Sequence, residues 1–134
     1  MNNKEDLIKT FDPNGLGVKG NLFGLPYSVE TSELIIIPVP WEVTVSYRDG
    51  TALGPKAILE ASSQVDLYVK GISDAWKLGV TMLPFPEELY EENKNLRSLA
   101  RQHIVSLATT SAADDYNKVI PSKIKVFPFL LKRL

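Results

Sequence analysis

The chain of 134 residues contains no cysteine. That excludes disulfide staples, thiol nucleophiles and thiolate metal sites together, and it fits a reducing, cytoplasmic setting. His103 is the only histidine, so no pair of the H-x-x-x-H type can form. Four residues after Leu99 and four before Leu107, it borders an apolar helical stripe and reads as a partly buried helix residue. No apolar run approaches the roughly 20 residues that cross a bilayer. The start, Met1-Asn2-Asn3-Lys4-Glu5-Asp6, lacks an apolar signal core behind basic residues. Neither sign of charge dominates: 15 Lys and Arg face 16 Asp and Glu, for a net charge of −1. There is thus no bulk electrostatic case for a nucleic acid or a membrane surface as partner. What is present, 44% apolar and 23% charged residues, is the composition of a folded domain, in a length with room for one domain.

The order of elements is most legible between residues 33 and 110. Ile35-Ile36-Ile37-Pro38-Val39-Pro40 follows Glu33-Leu34 as an apolar run, which predicts a strand over 33–40 buried on both faces, as in parallel sheets. Pro38 and Pro40 lack donors, so the ladder fades there. Residues 41–53 form a long polar connection. Gly54-Pro55 then opens a helix over 54–65, with proline where a missing N–H is harmless; Ile58, Ala61 and Val65 share one face, which is expected to pack on the strand. Leu78–Leu83 predicts a second strand. Pro86 starts a helix over about 86–110 with Glu87, Glu88, Glu91 and Glu92 near its positive end. Its stripe runs through Leu89, Leu96, Leu99, Ala100, Ile104 and Leu107.

The flanks differ. Residues 1–32 read as an irregular lead-in, with a short helix near Asp6–Phe11 stopped by the Asp12-Pro13-Asn14-Gly15 turn. Residues 111–134 form a tail with no acid and five basic residues after Asn117. Its apolar positions keep neither a period of two nor one of 3.6, and Pro121 and Pro128 interrupt any helix. It is expected to lie loosely and not to fill a native strand position.

Few segments could carry chemistry. Gly15-Leu16-Gly17-Val18-Lys19-Gly20 matches G-x-G-x-x-G, but a turn precedes it and the strand follows, so it reads as a glycine turn. The four glutamates read as a solvated helix start, with Glu91 near Lys94. The loop Thr44-Val45-Ser46-Tyr47-Arg48-Asp49-Gly50-Thr51 is the best candidate. Hydroxyls, a phenol, a cation and a carboxylate gather where a buried strand ends, and loops leaving such strands build the sites of α/β enzymes. Hydroxyls and carbonyls suit a guanidinium, which offers five donors in a planar fork.

The run Ile35–Trp41, the loop Ser46-Tyr47-Arg48-Asp49-Gly50-Thr51, the helix start Gly54-Pro55-Lys56-Ala57-Ile58 and the closing Leu67-Tyr68 resemble the beginning of the ureohydrolases, the family of arginase, agmatinase and formiminoglutamase. The wording is most similar to agmatinase-like members, although they often have Asp where this chain has Val69. The resemblance implies a three-layer, doubly wound parallel α/β sheet, of which this chain holds the N-terminal part. It implies hydrolysis of a guanidino C–N bond by a hydroxide held between two metal ions, usually manganese. By resemblance, Thr44, Ser46 and Arg48 lie near the mouth of a site for a guanidino small molecule. The family's ligand motifs, of the G-G-D-H, D-A-H-x-D and D-x-D types, do not occur here, so no catalytic or metal-ligating residue carries over. The expectation is an incomplete α/β domain over 33–110, from a truncated reading frame, that is inactive alone. The alternative is a non-catalytic remnant that forms homo-oligomers through exposed sheet edges.

Overall fold

The computed structural model describes residues 3–45 and 47–109. Strands β1 (Leu34–Ile36) and β2 (Val80–Met82) pair in parallel, with Leu34 opposite Val80, Ile35 opposite Thr81 and Ile36 opposite Met82. Parallel neighbours require a long crossover. Here it contains the loop from Trp41, the helix α2 (Gly54–Ser62) and a bridge between Val69 and Ile72. Both strands are shorter than the apolar runs that predict them. The Leu83 N–H still reaches the Ile36 carbonyl at 2.9 Å, and the prolines then end the ladder. At the other end the Gly79 carbonyl accepts the N–H groups of Glu33 and Leu34 at 3.0 and 3.1 Å. Gly79 has φ +74°, and a side chain there would sit 3.1 Å from the Thr31 carbonyl oxygen. Only glycine meets both conditions without strain.

The core lies where the lead-in meets the second strand. Leu25, Tyr27 and Trp76 are buried, with Leu7, Ile8, Phe11, Phe23, Leu67 and Val80 packed around them. The Phe11 and Trp76 rings lie 5.3 Å apart at 54°, a tilted geometry that aromatic quadrupoles favour. The lead-in thus contributes helix α1 (Lys4–Thr10) and a 3-10 turn over Leu22–Gly24 to the core. Lys4 ties it to the sheet through an ion pair with Glu33 and a bond to the Leu78 carbonyl. The glycine-rich stretch is a turn, as expected. The Val18 N–H bonds the Gly24 carbonyl at 2.8 Å. Gly24 has φ +64°, and its missing side chain would sit 2.8 Å from the Gly17 Cα.

The expectation of a central buried strand with α2 packed on it does not hold. Ile35 is 37% and Ile37 42% exposed, and Ile58 is 56% exposed. Helix α2 stops at Ser62 and packs on the Leu22–Gly24 turn instead: the buried Ser62 hydroxyl accepts the Phe23 N–H at 2.9 Å and donates to the Leu59 carbonyl at 2.8 Å. Ile58, Ala61 and Val65 therefore face outward. Two short strands offer too little surface to cover both sheet faces, so the apolar residues patterned for burial find no partner among the described residues. The long helix forms as expected, as α3 (Glu87–Thr109). Its Leu89 is buried, but Leu99 and Ile104 are half-exposed. Glu91 pairs with Lys94 at 2.6 Å and Glu87 with Lys56 at 2.7 Å. The tail 111–134 and its expected looseness lie outside the described residues.

Candidate functional site

The connection after β1 is ordered by two carboxylates, one near each end. Glu42 reaches forward: its Oε2 accepts the N–H of Gly50 at 2.8 Å, the Thr51 hydroxyl at 2.8 Å and the N–H of Ala52 at 3.1 Å. Those donors belong to the turn Gly50–Leu53 that leads into α2, where Pro55 removes one N–H that would need a partner. Burial raises the Glu42 pKa, but the hydrogen bonds from Thr51 and from the Ala52, Gly50 and Thr51 backbone outweigh it and hold the carboxyl below its usual value. The Glu42 N–H in turn donates to Oδ1 of Asn93 on α3 at 2.6 Å. Asn93 is 1% exposed, as expected of a buried amide that has a partner.

Asp49 holds the far end of the loop. Its carboxylate accepts Arg97 at 2.8 Å and also pairs with Arg101. Arg97 uses its other terminal nitrogen to bond the Val43 carbonyl at 3.0 Å. The two arginines stand at i and i+4 on α3, hence on one face. They seat the loop against the helix, over a cleft of about 340 Å³ lined by Glu42, Asn93, Lys94, Arg97 and Arg101 among others.

The residues predicted to bind substrate sit on this loop. Thr44 and Arg48 are exposed, and Ser46 lies outside the described residues. The Arg48 guanidinium lies over the Tyr47 ring, 5.3 Å from its centroid. The structure therefore places Thr44 and Arg48 at solvent, and neither lines the cleft. The groups that organise the loop, Glu42, Asn93, Arg97 and Arg101, escaped the sequence reading. Glu42 carried a faint signal, an acid eight residues before a Gly-Thr turn that opens a helix. Asn93 and Arg97 carried none. Among the described residues, no group of three or more His, Asp or Glu could hold a metal ion.

A parallel strand, a long loop at its carboxyl end and a helix opening on Gly-Pro define the first unit of an α/β fold, here in incomplete form. The Arginase family profile matches residues 32–116, more than half of the chain, and the chain belongs to that family. It is 40% identical over 55 residues to the N(1)-aminopropylagmatine ureohydrolase of Synechocystis sp. (strain ATCC 27184 / PCC 6803 / Kazusa). That stretch covers 40% of this chain and 18% of the cyanobacterial protein. No solved structure matches the chain.

Proposed function

We propose that this chain supplies the N-terminal strand–loop–helix portion of a manganese-dependent ureohydrolase of the agmatinase or arginase kind, and that alone it does not hydrolyse a guanidino C–N bond. The observation that supports this reading is the loop held by Glu42 and Asp49 at the end of a parallel strand, within the stretch where the chain matches its family. The loop has hydroxyls and carbonyls to offer a linear guanidino compound, and N(1)-aminopropylagmatine is such a compound. The two carboxylates of the loop are taken up by the loop itself, Glu42 by the donors of residues 50–52 and Asp49 by Arg97 and Arg101. A cytoplasmic setting suits a cysteine-free chain.

The test is direct. The chain is incubated with manganese and agmatine, arginine or N(1)-aminopropylagmatine, and urea is measured. No urea above buffer is expected. Turnover that survives repurification would overturn the reading. The nucleotide sequence beyond codon 134 gives a second check, since Gly-Asp-His and Asp-Ala-His encoded in any frame would reveal the remainder of the domain.

A second reading, a non-catalytic remnant that self-associates, is favoured by the exposure of Leu34, Ile35, Ile37 and Val39 along one strand and its continuation. Sedimentation across a concentration series separates the two: a monomer at every concentration removes this reading.

A further inference from the structure

The cleft between α3 and the loop is lined by three cations, of which Lys94 is paired with Glu91, and Arg97 and Arg101 with Asp49. Lys94, Arg97 and Arg101 line it, at i, i+3 and i+7 of one helix face. The one acid in its lining, Glu42, turns Oε2 toward the backbone of residues 50–52. Two guanidinium groups converge on a single carboxylate, that of Asp49, which is itself 47% exposed. Arg97 is only 13% exposed, and its Nε is buried without a hydrogen-bond partner among the described residues. Each arginine gives one terminal nitrogen to a different oxygen of Asp49, and such donors suit the oxygens of a tetrahedral oxyanion as well as those of a carboxylate.

We propose that Arg97 and Arg101, with Lys94 beside them, form an oxyanion-binding site that Asp49 occupies from within the chain, and that a small tetrahedral anion such as inorganic phosphate displaces Asp49 and releases the outer loop up to Asp49. The loop is then in one of two states, seated through Asp49 or freed by the anion. Anion affinity and loop seating are linked in both directions. An internal carboxylate that holds the site most of the time weakens the apparent affinity of an external anion by the fraction of time the site is open. The Glu42 hydrogen bonds are untouched by this exchange, so α2 keeps its start while the outer loop moves.

The experiment is titration of the whole chain with sodium phosphate, against sodium chloride at matched ionic strength, by calorimetry and amide hydrogen exchange. Phosphate, and not chloride, is expected to speed exchange at Val45 and Tyr47–Asp49, and to leave the Gly50 amide, which Glu42 holds, unchanged. Asp49→Asn is expected to bind phosphate about tenfold more tightly than the parent, and Arg101→Gln to lose binding. Asp49→Ser serves in place of Asp49→Asn if the latter loses its helical circular dichroism. Equal affinity in the parent and the Asp49 variant, binding retained in Arg101→Gln, an equal effect of chloride, or no binding by either protein would each overturn the proposal.

Discussion

Replacing Glu42 with alanine removes one acceptor from three donors, and the donors differ in what they lose. Gly50 and Thr51 are exposed, so their N–H and hydroxyl turn to water at a cost of about 0.5 kcal/mol each. Ala52 is 1% exposed. Its N–H has no water to turn to, and a buried donor without a partner costs about 1–3 kcal/mol. The sum is roughly 2–4 kcal/mol, a large fraction of the stability of a small domain, and it lowers the melting temperature by roughly 10 °C. Glu42→Gln keeps an acceptor and loses the charge, so about half that loss is expected. Urea and thermal unfolding followed through Trp41 and Trp76 fluorescence measure both. The pH dependence supplies an independent arm. The Glu42 carboxyl is held below its usual value when folded, so its contribution is present above the unfolded-state pKa. It is lost as pH falls from there through the folded-state pKa. The gap between the parent and Glu42→Gln should therefore narrow on acidification. A Glu42→Ala variant that melts with the parent would refute the reasoning, as would a gap that stays constant with pH.

Gly24→Ala meets both a left-handed backbone and the Gly17 Cα and should destabilise by about 2–3 kcal/mol. Gly20→Ala, also left-handed but with open space around it, should lose only about 1 kcal/mol; equal denaturant midpoints for the two would remove the close contact as a cause. Ile58→Glu, at a side chain 56% exposed, should leave stability within about 0.5 kcal/mol, whereas unfolding of that variant would show that this face of α2 is buried after all.

Local chemistry explains what the sequence made legible. The order strand, loop, helix, strand, helix follows from apolar runs, from Pro55 and from Pro86, and each element stands within a few residues of its expected place. The G-x-G-x-x-G stretch was correctly read as a turn, because no strand leads into it. Burial was read less well. Pattern tells that Ile35, Ile37 and Ile58 are suited to a core, but not whether a covering layer is present; here α2 leans on the Leu22–Gly24 turn and leaves them open. The candidate loop was found through its residue types, while the groups that seat it were not. Asn93 and Arg97 reach it from 51 and 54 residues away, a distance over which periodicity carries no signal. The lead-in hid its part in the core for a similar reason: Leu22, Leu25 and Tyr27 are buried by the fold around them, without any helical or strand period of their own.

The long separation between Glu42 and Asn93 also sets a timetable. A ribosome adds about 5–20 residues per second, so the 51 residues between them take roughly 3–10 s to make. Throughout that interval the loop has left the peptidyl-transferase centre and its seat does not yet exist. The Glu42 contacts to residues 50–52 span at most ten residues and close in well under a microsecond once made. The inner half of the loop is thus in place early in synthesis, while the outer half, with Thr44 and Arg48, waits for α3 to be made.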